Sequence, residues 1–404
     1  MAKSTQQQKS NGLSFKDITG YLETVSKKTS IQIETDSTKK RTYIDTGVYI
    51  LNALLSKSIL HGGISKNRIS IFAGPTSVGK SYLCYNIAKN AQKEGYNIIF
   101  IDTEFSTELE DFESFGVNTV ENFALLRSNK VEDLKMSLTM LLDKLKAEKI
   151  AGKDIGKILI FMDSIGQLAS NKEVEDALEG KNKVDMSRAK AIKSLFRIIS
   201  SDLGFLDIAL VCTNHIYMSQ DLFPKPIMSG GEGANYSAST VVYLSNAKLK
   251  TGEEDDMDLG QSGIIVTAQA KKNRLAKPKK VKFEINHTTG MNRFKGLDLF
   301  CTPENFDKVG IAQVKPEIDK KTGEITYKPG SKWYVRHLDK TFYDKQLYNS
   351  KVFTQEVLEA LEPIIEKYFS YASTEEMEEI NNAFDEELDQ DFDIDNMNDD
   401  KLFE

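Results

Sequence analysis

Arg68–Ser81 reads RISIFAGPTSVGKS: an apolar run from Ile69 to Ala73 breaks into Gly74-Pro75-Thr76-Ser77-Val78-Gly79-Lys80-Ser81 and leads into Tyr82–Gln92, which has helical character. This is a strand, a glycine-containing loop and a helix start. The spacing G-x-x-x-x-G-K-S is that of a phosphate-binding loop. Its glycines let the backbone wrap a polyphosphate, successive N–H groups and the helix N-terminus point at it, and the lysine neutralises the outer phosphates. Gly74 through Ser81 are therefore candidate nucleotide-binding residues, with the Ser81 hydroxyl completing a Mg2+ shell. An ordinary turn with a buried Lys80 stem is the alternative, and the flanking strand and helix disfavour it.

Working outward, Ile158–Ser164 (ILIFMDS) places Asp163 at the carboxyl end of a buried strand. In open α/β sheets that edge faces the ligand, and a carboxylate there can hold the waters of a magnesium ion. A helix-capping Asp is the competing reading. Asn97–Glu104 (NIIFIDTE) also ends in acids. If its strand neighbours the phosphate-loop strand, Glu104 can act as general base on a water in line with the terminal phosphate. Otherwise it is a solvated strand-end acid.

Strand-like runs at Arg68–Ala73, Asn97–Asp102, Phe123–Leu126, Lys157–Met162 and Ile208–Thr213 alternate with helical segments, the mark of an α/β fold with a mostly parallel sheet covered on both faces. Runs at Thr240–Leu244, Gly263–Ala270 and Val281–Ile285 are too closely joined for helical crossovers and predict an antiparallel extension. Before the core, a helix from Ser14 to about Lys28 and a strand-like patch at Ile31 and Ile33 form a segment that needs a partner sheet, such as another subunit supplies. The expected divisions are 1–42 (polymerisation segment), 43–300 (ATPase core), 301–374 (small C-terminal domain with an amphipathic Val352–Tyr371) and 375–404 (acidic tail).

The chain has 404 residues, 40% of them hydrophobic, enough for a large core. No apolar run approaches the roughly 18 residues of a membrane span, and MAKSTQQQKS lacks the apolar centre of a signal peptide, so export is not expected. Cys84, Cys212 and Cys301 lie far apart in apolar stretches, which predicts buried thiols in a reducing compartment and not a metal site. The net charge of −7 is unevenly spread: residues 375–404 hold fourteen Asp or Glu and one Lys, leaving residues 1–374 at +6. A basic body suits a polyanion, and the tail can compete for the same surface or merely solubilise.

The segments GPTSVGKS (74–81), IDTE (101–104), ILIFMDS (158–164), VCTNH (211–215), MSGGEGANYSAS (228–239) and AKKNR (270–274), in that order, resemble the RecA family of strand-exchange recombinases, its UvsX-like phage members above all. The resemblance covers about Ser14–Phe294. It implies a RecA-like core in which Gly79, Lys80 and Ser81 hold phosphate and magnesium, Glu104 polarises the water and Asp163 supports the metal. His215 takes the position of a γ-phosphate sensor, and an imidazole N–H has the chemistry for it. Lys272 and Arg274 fall where the family reaches across a subunit interface to the neighbour's γ-phosphate; a charged hairpin at a sheet edge is the alternative.

The resemblance also makes 171–186 and 216–229 DNA-binding loops. Lys172, Lys181 and Lys183 lie in the first, and Gly230 and Gly231 follow the second. On the helix between them, Arg188, Lys190, Lys193 and Arg197 are candidate contacts to backbone phosphates, opposed to an apolar side of Met186, Ala189, Ile192 and Phe196. Neither loop is rich in aromatics, which favours backbone and shape contacts over base stacking. The family stacks adenine on an aromatic residue where this chain has Asp111; either the adjacent Phe112 substitutes or the base is held differently. The implied protein is a DNA-dependent ATPase that forms helical filaments on single-stranded DNA, pairs them with duplex and works in the cytoplasm of a phage-infected bacterium. Single-strand-binding and mediator proteins are candidate partners of the tail. A ring helicase on the same fold and a non-catalytic mediator are the alternatives.

Overall fold

Along the phosphate-loop strand, side chains alternate between two cores: Phe72 faces one, while Ile69, Ile71 and Ala73 face the other. The same period of two sends Phe100 and Phe161 to the first side and Ile101, Ile160 and Met162 to the second. Strands apolar on both faces need cover on both, and this fixes the layering. The computed structural model describes residues 14–26, 41–180, 187–220, 223–250 and 261–372. The patch at Ile31 and Ile33, Lys181, Lys183 and the acidic tail lie outside the described residues.

Helix α1 (Phe15–Ser26) comes first and buries none of its residues. Strands β1 (Tyr43–Ile44) and β2 (Ile64–Ser65) pair around α2 (Tyr49–Ser56). The alternating core follows as β3 (Ile69–Gly74), α3 (Lys80–Lys93), β4 (Tyr96–Asp102), α4 (Leu109–Ser114), β5 (Phe123–Arg127), α5 (Val131–Ile150), β6 (Lys157–Asp163), α6 (Asn171–Leu178), α7 (Ser187–Leu206) and β7 (Ala209–Met218). Then come β8 (Pro226–Met228), α8 (Gly233–Ser237), β9 (Thr240–Lys250), β10 (Gln261–Asn273), β11 (Lys280–Asn286) and β12 (Gly290–Met291).

These strands form one sheet in the order β12-β11-β10-β9-β3-β7-β6-β4-β5, with β8 folding back on β7. Strands β3 to β7 run parallel, β9 joins β3 in parallel, and β9 to β12 turn antiparallel as the close spacing predicted. Helices α2 and α3 cover the first face; α5 and α7 pack together over the second.

After the core come α9 (Phe306–Val309), a three-stranded sheet of β13 (Ile311–Ile318), β14 (Ile325–Val335) and β15 (Lys340–Phe342), α10 (Asp344–Leu347) and α11 (Gln355–Phe369). Only Phe306, Ala312, Val314 and Tyr334, with Tyr327 beside them, form a separate apolar cluster there. Helix α11 buries Val357, Leu361, Ile365 and Phe369 in the same core as Ile50 and Leu54 of α2. The residues after 300 thus carry a sheet with a small apolar cluster of its own, while α11 packs into the larger core.

Candidate nucleotide site and nucleic-acid interface

Strand β3 delivers the chain to the sheet's carboxyl edge at Gly74, and α3 starts at Lys80 with Gly79 as a left-handed N-cap (φ +88°) and no side-chain cap. A side chain at either glycine would force its neighbours to shift. A β-carbon at Gly79 would meet Ile285 Cδ1 at 2.5 Å, and one at Gly74 would meet the Leu244 carbonyl oxygen at 2.7 Å. Ser77 also has positive φ (+61°). The backbone of 74–81 thus bends into a cradle ending on a helix N-terminus, where orphan N–H groups favour phosphate. Lys80 Nζ folds over it, donating to the carbonyls of Gly74 (3.0 Å) and Pro75 (2.8 Å). Burial lowers its pKa, while Asp163 and Glu104 pull it back up.

Asp163, at the end of β6, is buried, and burial raises its pKa against hydrogen bonds from Ser81 and Thr213 that lower it. Ser81 Oγ donates to one carboxylate oxygen at 2.6 Å and Thr213 Oγ1 donates to the other. A hydroxyl and a carboxylate in contact at the mouth of a phosphate cradle are hard oxygen ligands that fit Mg2+. Among the described residues no group of three His, Cys, Asp or Glu side chains stands close enough to hold a metal. A divalent ion here would complete its shell with phosphate oxygens and water.

The condition set on Glu104 fails, but its placement does not. Strand β4 is not beside β3; β7 and β6 lie between them. Glu104 enters the site from the turn after β4, where its N–H donates to Asp102 Oδ1 at 2.9 Å. It meets His215, which β7 aligns with Gly74 in register. His215 Nε2 lies 3.1 Å from Glu104 Oε1, and since a carboxylate only accepts, Nε2 carries the proton. Ser164 Oγ donates to the same oxygen at 2.8 Å. Sequence reasoning passed over Ser164, directly after Asp163, and Thr213, two residues before His215 within β7.

The RecA N-terminal domain family matches residues 18–292, more than half of the chain. The chain belongs to the RecA family. It is 28% identical over 328 residues to the recombination and repair protein of Enterobacteria phage T4, covering 78% of each chain. It is 27% identical over 278 residues to the mitochondrial DNA repair protein recA homolog of Dictyostelium discoideum, covering 68% of this chain and 57% of that one. Protein RecA of Bdellovibrio bacteriovorus is 24% identical over 272 residues, 66% of each.

In this RecA-family chain the expected first loop is partly helical: α6 occupies Asn171–Leu178. Its start was written in the sequence, because Ser170 and Glu173 form a reciprocal capping box. Lys172 pairs with Asp176 at 3.0 Å on that helix. The second loop is mostly a hairpin, with Ile216, Tyr217 and Met218 of β7 paired to Met228, Ile227 and Pro226 of β8. Lys190, Lys193 and Arg197 are exposed on α7, as predicted.

Arg188 is placed differently from these three: it is half-buried, with Nη2 donating to the Gly166 carbonyl and Nε buried without a hydrogen-bond partner among the described residues. Phe112 needs correction: it is fully buried, with ring centroids of Tyr85, Phe100 and Phe123 at 4.7, 4.8 and 4.8 Å, so it offers no face to a base. Asp111 caps α4 by accepting from Glu108 N–H. Of the proposed fingers, Arg274 is exposed, while Lys272 Nζ donates to Asn235 O (2.6 Å) and Tyr236 O (3.3 Å) in α8. Burial lowers the Lys272 pKa, and Arg274 lowers it further. Between them Asn273 is buried and clamps the carbonyls of Leu54 and Leu55.

Proposed function

We propose that this RecA-family chain is an ATP-dependent recombinase that polymerises on single-stranded DNA, pairs it with homologous duplex and exchanges strands in recombination and repair. The observation that carries the reading is the convergence of Lys80, Ser81, Asp163, Glu104 and His215 at one sheet edge. Lys80 and the N–H groups of Gly79–Ser81 bind the triphosphate, Lys80 giving up its two carbonyl bonds to do so. Magnesium, when bound, neutralises charge on the phosphate oxygens, with Ser81 and Asp163 holding it. Glu104 takes the proton of the attacking water, and Ser164 fixes the carboxylate that does so. The His215 N–H is shared between Glu104 and a terminal phosphate oxygen, so loss of that phosphate returns it to the carboxylate. The adjoining β7–β8 hairpin then changes its footing, a familiar use of γ-phosphate contacts.

Membrane-spanning helices are not found among the described residues, and an infected bacterial cell is the proposed place of action. Electron microscopy of the chain with single-stranded DNA and a slowly hydrolysed ATP analogue should show helical filaments, with turnover stimulated by DNA. Hexameric rings on forked DNA would instead indicate a helicase, and absence of DNA-stimulated turnover a mediator.

The charge asymmetry adds a second expectation. Removing 375–404, with its fourteen acids, should raise affinity for duplex DNA, because the tail competes for the body of net +6. The gain should shrink with salt, as screening acts within about 10 Å at 0.1 M. Unchanged duplex affinity at low salt would leave the tail a solubilising or partner-binding segment.

A further inference from the structure

The seven residues after β6, Ser164–Ser170, touch every part of the machinery that ATP and DNA must link. At one end Ser164 Oγ holds Glu104. Gly166 lies against the sensor: a β-carbon added there would stand 3.1 Å from His215 Cδ2 and 3.3 Å from Asn214 Oδ1. Its carbonyl accepts from Arg188 Nη2 at the start of α7. At the far end Ser170 Oγ caps α6 and lies 2.9 Å from Ser187 Oγ, the residue before Arg188.

The second candidate DNA loop is joined to the same unit. A β-carbon at Gly230 would meet Ile192 at 3.1 Å and Ile165 at 3.4 Å, and one at Gly231 would meet Ala189 at 3.2 Å. At Gly233 it would stand 2.6 Å from Lys193 Cβ and 2.7 Å from its Cα. These glycines let the chain lie directly on α7. Asn214 Nδ2 donates to the Ser229 carbonyl at 2.9 Å, and Ser229 N–H to the His215 carbonyl at 3.0 Å.

From this we infer that Ser164–Ser170 is the element through which the DNA-facing α7 and the phosphate-facing Glu104 and His215 sense one another, and that Arg188 is its positioning residue and not a DNA-phosphate contact. The inference rests on the recombinase reading and deepens it. A displacement of the α7 start pulls on the Gly166 carbonyl. With no side chain at 166 to absorb the shift, it is passed to the packed imidazole. Packed side chains and hydrogen bonds with discrete arrangements are what carry such coupling. The buried, unpartnered Nε of Arg188 fits a guanidinium held for its position, because a phosphate-binding arginine presents its donors outward.

The test measures the dissociation constant of a labelled single-stranded oligonucleotide with a slowly hydrolysed ATP analogue and with ADP, over a series of salt concentrations. The wild-type ratio of the two constants is the coupling, typically about 5–150-fold for allosteric proteins. Arg188→Ala should bring that ratio below about 2 while leaving the salt slope in place, and Arg188→Lys, which retains one donor for Gly166, should recover part of it. Each lost phosphate contact lowers a single-strand salt slope by about 0.7. A slope lower by that amount with the ratio preserved would return Arg188 to the DNA surface. An unchanged ratio with only a lower melting temperature would make the contact merely structural. Should Arg188→Ala not fold, Gly166→Ala presses on His215 directly and should lower the ratio by itself; a wild-type ratio there overturns the coupling. A wild-type protein that itself shows no nucleotide dependence fails at the recombinase reading, a distinct outcome.

Discussion

Glu104→Gln should bind ATP and single-stranded DNA normally and turn over about 10²–10⁴-fold more slowly, the usual contribution of a positioned general base. The amide keeps the shape and can still meet Ser164 and His215, but it cannot take a proton from water. Lys80→Ala should fail earlier, at nucleotide binding, since it removes the ammonium that lies 3.0 and 2.8 Å from the Gly74 and Pro75 carbonyls, beside the cradle. Equilibrium binding of a fluorescent ATP analogue beside steady-state turnover separates the two. Equal loss of binding in both variants would place Glu104 among the ligand-holding groups and remove it as the base. Loss in Glu104→Gln confined to turnover, with filaments intact, would leave the division of labour as drawn from the site.

The phosphate cradle was legible because its determinants are local. A strand, a pair of glycines at fixed spacing and a helix start all lie within 68–81, and the structure places them as read. Asp163 was equally local, an acid at the end of an apolar run. Glu104 was identified for a reason the structure overturns: the order β3-β7-β6-β4 separates its strand from the cradle, and the turn after β4 restores the reach. Strand order depends on crossovers that periodicity does not record. The contacts of Ser164 and Thr213 were hidden for the same reason, since each hydroxyl bonds a residue carried by another strand.

Phe112 failed differently. It was assigned by residue type, an aromatic for a base, and burial among Tyr85, Phe100 and Phe123 had the prior claim. Helix α6 is the one miss with a readable signal, the capping box at Ser170 and Glu173.

Lys272 raises the sharpest question, because in this chain its ammonium serves its own protomer by donating to two carbonyls of α8. A residue that acts on a neighbour's phosphate must first leave those carbonyls. Arg274 lies exposed two positions along the same strand end and lowers the Lys272 pKa, so the two charges already repel. A developing negative charge across an interface would draw both out. If they act in trans, Lys272→Ala should lose about 10³–10⁵-fold in turnover, the worth of a finger of this kind. Mixing it with Lys80→Ala should then restore turnover, since some mixed interfaces pair an intact cradle with an intact finger. The measurement is ATP turnover across mixing ratios on single-stranded DNA, with assembly followed by light scattering. Recovery that peaks at intermediate ratios places Lys272 on the neighbour's nucleotide. Mixtures that assemble yet stay inactive at every ratio confine it to the α8 carbonyls, as a cap within its own protomer.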